Sequence, residues 1–238
     1  MKIDDQDIRI AIKKALEASV WKKEGKKDKV RKFNEAIELI INMRDLDLKD
    51  PNNRFTIEYA LPHSINDPLK ACIIADGDML VKAKELGYDT LDKEWLQNAR
   101  TMEKRAIKKI CKKYRFFIAR ADLMRLVAPS LGRYLAPINK MPIPQPNGYS
   151  VIAPTTANLK EVVEKFRNVT RIIIKKAPII QLKIGNKKMK EEQIVENAIS
   201  LIHFLSQKLP RGQDNIRSIY IKTTMGHPIN LARVQEAS

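Results

Sequence analysis

The sequence predicts an α/β protein of two domains, one split between the two ends of the chain and one inserted between them. Near both ends, apolar and polar residues alternate. Phe55, Ile57, Tyr59 and Leu61 interleave with Arg54, Thr56, Glu58 and Ala60, and Ile219, Ile221 and Thr223 with Ser218, Tyr220, Lys222 and Thr224. A period of two marks half-exposed strands, the type that builds an antiparallel-type sheet with helices on one side. The middle is different: "ACIIAD" and "YRFFIA" are continuous apolar runs that alternate with helical stretches, as in a parallel sheet covered on both faces. Residues 1–68 and 170–238 are therefore expected to form one α/β domain that the chain leaves and returns to, and 69–169 a separate three-layer one.

In chain order, "DDQDIRIAIKKALEASV" places Ile8, Ile12, Ala15 and Leu16 at helical spacing, with Asp4, Asp5 and Asp7 where the helix dipole favours acids. The lysine-rich "KKEGKKDKVRK" is expected to connect it to two strands, "FNEAIELIINM" and "RFTIEYALP". After "ACIIAD" come the helical "GDMLVKAKELG" and one long basic helix, "ARTMEKRAIKKICKKYR", whose apolar seam is expected at Met102, Ala106 and Ile110. Pro129, Pro137, Pro142, Pro144 and Pro146 predict an irregular loop, and "ANLKEVVEKFRN" a closing helix. "TRIIIKKAPIIQLKIG" has the character of an antiparallel hairpin, with Pro178 near its turn. "KEEQIVENAISLIHFLSQKL" carries Ile194, Ala198, Leu201, Ile202 and Leu205 on one helical face, and the strand "SIYIKTTMGHP" follows it into a glycine turn.

With 238 residues, 44% of them hydrophobic, the chain can bury real cores. Its net charge of +17 points to a polyanionic partner, nucleic acid before an anionic membrane. The excess lies almost wholly beyond residue 68. Apolar runs such as "LIIN" and "RIII" are far too short to span a bilayer, and "MKIDDQDIRI" lacks the character of a secretory signal, so a cytoplasmic location is expected. Cys72 and Cys111 fit two buried thiols rather than a disulfide framework or zinc site.

The eight glycines form no phosphate-binding loop, and His63, His203 and His227 are scattered, His203 being expected to pack within its helix. The enzymatic alternative is a magnesium-dependent enzyme acting through Asp76 and Asp78 in "IIADGD", at a strand end where open parallel sheets place ligands. Aspartates in such loops also cap helices. In the basic helix Arg100, Lys104, Lys108 and Lys112 recur every fourth residue beside Arg105, Lys109 and Lys113, a face suited to solvent or to phosphate.

Six stretches together carry a family resemblance: "RKFNEAIEL", "ALPH", "FFIARADLM", "NKMPIP", "APIIQLKIG" and "SIYIKTTMG". Over almost its whole length the chain resembles, in archaeal style, the family of protein number one of the large ribosomal subunit, which builds the stalk at the transfer-RNA exit site. The resemblance implies a split two-layer domain with a Rossmann-like insert on a hinge, no enzyme activity and no cofactor or metal. It implies a structural protein, monomeric within the ribosome, that binds the stalk of large-subunit ribosomal RNA. It further implies repression of translation through the protein's own messenger RNA, and contact with exit-site transfer RNA. The RNA-binding positions it indicates are Lys32, Phe33, Glu38, Ser218, Thr224, Met225 and Gly226, to which Arg171 and Lys222 are added as cations. Hydroxyls of Ser218 and Thr224 suit phosphate or ribose, and Phe33 and Met225 suit bases. Thr224→Val is expected to weaken RNA binding and leave folding almost unchanged. Departures from the family pattern are Ala36 for a hydroxyl residue, Asn139 for glycine and His227 for proline.

A partner held through lysine and arginine releases counterions on binding, so log affinity for a stalk RNA fragment should fall linearly with log potassium concentration. Titrations at several salt concentrations check this; a flat plot would remove the electrostatic reading.

Overall fold

The computed structural model describes residues 5–19, 21–23, 26–29, 32–99, 101–154 and 158–232. The chain divides into two compact units, 1–65 with 170–238, and 66–169, so the first crossover falls slightly before the expected residue 68. The split unit begins with helix α1 (Asp5–Glu17) and strands β1 (Trp21–Lys23), β2 (Lys26–Lys29), β3 (Ala36–Met43) and β4 (Phe55–Ala60). β1 and β2 pair antiparallel, so the lysine-rich stretch contains a short ladder where a plain connection was expected.

The insert runs through β5 (Ala71–Ile74), α2 (Asp78–Glu85), β6 (Asp89–Leu91), α3 (Lys93–Asn98), α4 (Lys104–Lys113), β7 (Phe116–Arg120), α5 (Met124–Leu135), β8 (Val151–Ile152) and α6 (Leu159–Lys165). Its four strands form a parallel sheet in the order β6, β5, β7, β8. Cys72, Ile74 and Phe117 face Leu96, Ile107, Cys111, Val127 and Leu131 of α3, α4 and α5. Residues of α2 and α6, such as Ala83 and Val163, are buried too, and the rings of Phe116 and Phe166 meet at 5.2 Å. This is the expected three-layer arrangement.

The basic helix is shorter than predicted. It starts at Lys104, after a turn in which the Thr101 hydroxyl donates to the Asn98 carbonyl at 2.9 Å. Arg100 lies outside the described residues. The buried seam is Ile107 and Cys111, not the smaller Ala106 with Met102 and Ile110, which are only partly buried. Pro129 sits within α5 rather than in a loop; it forgoes one backbone hydrogen bond, while the Ser130 hydroxyl donates to the Leu126 carbonyl at 2.6 Å. Asn139, standing where glycine was expected, adopts φ of 53°, a left-handed conformation that asparagine tolerates better than most residues.

The chain returns through β9 (Val169–Ile174), β10 (Ile179–Asn186), α7 (Glu191–Lys208), β11 (Ile216–Thr223) and β12 (Ile229–Asn230). β9 and β10 do not form the expected hairpin. β9 pairs with β4, and β10 joins an antiparallel sheet in the order β10, β3, β11, β12. The link between them is tied to β3 instead, with the Met43 amide donating to the Pro178 carbonyl at 2.8 Å. Ile37, Leu39 and Ile41 of β3, with Ile180, Leu182, Ile219 and Ile221, face Ile8 and Ile12 of α1 and Ile194, Ala198 and Leu201 of α7. Each buried aliphatic side chain contributes about 1.5–3 kcal/mol, so this one-sided core holds the sheet to its helices.

Two buried asparagines secure the ends of the crossovers. Asn197 of α7 donates to the Ile184 carbonyl at 2.9 Å and accepts from the His63 amide at 2.9 Å. Asn66 donates to the carbonyls of Phe166 and Val169 at 2.9 and 2.8 Å. His203, expected to be packed, is exposed on α7, because the apolar face runs through Leu201, Ile202 and Leu205.

Both cysteines are free and buried. Burial pushes the Cys72 thiol up to about 12 and raises that of Cys111, so both stay protonated and unreactive near neutral pH. A disulfide reagent at pH 8 should label neither in the native protein and both in denaturant, as thiol titration would measure.

Candidate nucleic-acid interface

β3 buries every second residue, which leaves Ala36, Glu38, Ile40 and Asn42 half-buried on the opposite side. β11 does the same with Ser218, Tyr220 and Lys222. The register aligns these residues into rows. Lys222 and Lys183 flank Glu38, Tyr220 and Gln181 flank Ile40, and Ser218 lies opposite Asn42. The Asn42 amide donates to the Ser218 hydroxyl at 2.9 Å, so Ser218 keeps its own proton to give to an acceptor outside the protein. Lys183 is turned elsewhere, its ammonium donating to the Ile65 carbonyl at 2.6 Å.

At the end of β11 the chain turns through Thr224, Met225 and Gly226. The Thr224 amide donates to the Ala36 carbonyl at 3.0 Å, and the Thr224 hydroxyl both accepts from the Ala36 amide at 3.1 Å and donates to its carbonyl at 3.3 Å. Ala36 thus contributes backbone where a hydroxyl side chain was expected. The single proton of Thr224 is spent internally, which leaves a lone pair that can accept from a ribose hydroxyl but nothing to donate to phosphate. The Met225 amide donates to Glu35 at 3.3 Å, and Lys187 donates to the same carboxylate at 3.1 Å. The Glu35 side chain is 0% exposed. Gly226 is required by close approach: a Cβ there would lie 2.4 Å from the buried Thr223 hydroxyl oxygen.

Lys32 and Phe33 precede Glu35, exposed, and Phe33 and Met225 leave 52% and 61% of their surface accessible. The fold therefore gathers Lys32, Phe33, Glu38, Ser218, Lys222, Thr224, Met225 and Gly226 around the β3–β11 pair and its turn. Arg171 is placed apart, on β9, where its guanidinium is paired with Glu58, whose side chain is fully buried. Removing either partner would take the counter-charge from a buried group, at about 3–5 kcal/mol. Glu58 was expected on a polar strand face; the strand buries it because Arg171 supplies the counter-charge. Sequence reasoning missed Glu35, Asn42 and Lys187. The partners of Glu35 and Asn42 are more than 150 residues away, so no local spacing signalled them.

In the insert, Asp76 and Asp78 do not converge on a common centre. An Asp76 carboxylate oxygen accepts from the Gly77 amide at 3.0 Å, while Asp78 lies exposed in the first turn of α2. Between the ends of β5 and β7, Arg120 donates to the Asp76 carbonyl at 2.7 Å and pairs with Asp122 through two contacts of 2.7 and 2.5 Å. That is the crevice where doubly wound sheets bind ligands, and here an arginine bridges it. Among the described residues no cluster of histidine, cysteine and carboxylate side chains could hold a metal ion.

These features define a two-unit α/β protein, with no catalytic constellation among the described residues. Residues 23–227 match the model of the ribosomal protein L1p/L10e family. The chain is 38% identical to the large ribosomal subunit protein uL1 of Pyrococcus horikoshii over 97% of its own length and 98% of that protein. It is 40% identical to the uL1 protein of Thermococcus kodakarensis over 86% of its length and 91% of the relative. Against that of Methanothermobacter thermautotrophicus it is 34% identical, over 93% and 96%. The chain belongs to the L1p/L10e family; it is a structural ribosomal protein and not an enzyme, and the reading of Asp76 and Asp78 as a magnesium site of an enzyme is given up.

The Thr224 bonds overturn the expectation that Thr224→Val leaves folding untouched. Valine strands the Ala36 amide and should cost about 1–3 kcal/mol of stability, whereas Thr224→Ser retains most of it. Thermal melting of the two variants checks this, and an unchanged melting temperature in the valine variant would show that the bonds do not hold the turn.

Proposed function

We propose that the β3–β11 face and its turn dock the stalk of large-subunit ribosomal RNA near the transfer-RNA exit site. The observation that carries this reading is the pairing of two exposed apolar side chains, Phe33 before β3 and Met225 on a turn held by partly buried bonds, with a polar sheet face. Each group has a distinct task. Phe33 presents a flat ring and Met225 a flexible apolar thioether to unstacked bases, Ser218 donates to phosphate, Thr224 accepts from ribose, and Lys32 and Lys222 attract the backbone. Glu38, beside Lys222, accepts from base amino groups or ribose hydroxyls, which discriminates an ordered RNA surface from a bare polyanion. Arg171 takes part through the framework, its pairing with Glu58 keeping β9 on β4.

The same face would bind a similar fold in the protein's own messenger RNA and so repress its translation, since one surface recognises one shape wherever it occurs. The protein would act as a monomer in the cytoplasmic ribosome, close enough to meet exit-site transfer RNA. No helix among the described residues is long and apolar enough to cross a membrane.

Phe33→Ala and Met225→Ala remove exposed side chains, so each should leave the melting temperature within a degree or two of the parent. Phe33→Ala should weaken binding to a stalk RNA fragment by about 1–3 kcal/mol, the usual worth of a base stacked on an aromatic ring, and Met225→Ala should weaken it by less. Filter binding against the stalk fragment and a random hairpin measures it; unchanged affinity in both variants would place the interface elsewhere.

A further inference from the structure

The face of α4 that the proposed interface leaves unused has a composition of its own. Lys104, Arg105, Lys108, Lys109 and Lys112 are all exposed, and none has an ion-pair partner among the described residues. Lys113 alone is paired, with Asp89 at 2.9 Å. At the C-terminal end, where a helix ordinarily presents negative carbonyls, the Lys140 ammonium takes those of Cys111 at 3.0 Å and Tyr114 at 2.5 Å. The helix is thus positive along its length and shielded at its negative pole. Lys104, Lys108 and Lys112 form a row about 6 Å apart, set by four residues at a rise of 1.5 Å each.

Beside the C-terminal half of α4 runs a groove of about 340 Å³. Lys108, Lys112 and Arg133 bring positive charge to it, and Tyr134, Pro137 and Ile138 provide ring and aliphatic surface, with Ile138 39% exposed. Cations beside an apolar wall match a nucleotide, whose phosphate and base need one of each. We propose that the α4 face and this groove form a second nucleic-acid site, separate from the split unit, that takes single-stranded RNA: the lysine row follows the phosphates, and an unstacked base enters against Tyr134 and Ile138. A membrane surface is disfavoured because the exposed side of α4 has cations but no apolar side chains to insert. A duplex would satisfy the row but leave the groove empty.

The test uses the full chain and two labelled probes, a uridine 12-mer and a blunt RNA duplex of equal length, followed by fluorescence anisotropy. The triple variant K104Q, K108Q, K112Q should bind the 12-mer at least about tenfold more weakly. Its salt slope should drop by about two, from three lost contacts at 0.7 each. A control triple, K82Q, K84Q, K93Q, removes the same charge from exposed positions of the same unit and should change affinity less than twofold. Ile138→Asp places a carboxylate in the groove and should weaken the 12-mer more than the duplex, at an unchanged melting temperature. Equal losses in the two triple variants would reduce the site to net charge and overturn it, as would an Ile138→Asp variant that binds both probes like the parent. Loss of binding to anionic phospholipid vesicles with RNA affinity unchanged would assign the face to a membrane instead. Every residue of the β3–β11 face is intact in these variants, so their behaviour is independent of whether that face binds the stalk.

Discussion

A buried carboxylate organises the turn that follows β11 in the split unit. Glu35 accepts from the Met225 amide and from Lys187, while its own backbone carbonyl accepts from the Lys187 amide at 3.0 Å. Three segments meet there: the entry to β3, the turn after β11 and the link from β10 to α7. A fully desolvated carboxylate is tolerated only when such partners compensate it, and losing one would cost far more than a surface pair contributes. The consequence is geometric. Thr224 locks onto Ala36, Gly226 presses against Thr223, and Met225 is held outward on a backbone that cannot easily relax. Preorganisation of this kind lowers the ordering cost of binding, which otherwise consumes much of the energy of a polar interface.

The insert has the layers and parallel sheet of nucleotide-binding folds, yet its crevice is closed by its own side chains. Arg120 joins the end of β7 to the loop after β5, and Asp122 holds its guanidinium. That pair raises the Arg120 pKa and holds the Asp122 carboxyl below its usual range, chiefly through the hydrogen bond between them. A fold therefore does not carry its common function with it; the residues at the switch point decide, and here they form a structural clasp.

Charge is distributed on the same principle. Where a cation must be structural it has a partner: Arg171 with Glu58, Lys187 with Glu35, Arg167 with Asp67 and Glu164. The strongly basic α4 has a partner only at Lys113 among its described cations. An excess of positive charge left exposed in this way opposes compaction and aids attraction of polyanions, and the chain bears it because its apolar cores are well filled.

The sequence by itself determined the mixed α/β character of the chain. Period-two strands at both ends, continuous apolar strands in the middle and the stripe on α7 are local patterns, set by side-chain geometry along one element. Helix limits were less legible, as α4 and the Pro129 segment show, because packing chose which turn of a basic or proline-bearing stretch to stabilise. Only the tertiary structure decided the partners: that β9 leaves β10 for β4, that Glu58 is buried against Arg171, and that Thr224 spends its proton on Ala36. Those contacts join residues up to 188 positions apart, and their energy comes from burial and hydrogen bonds that exist only once the sheet has closed.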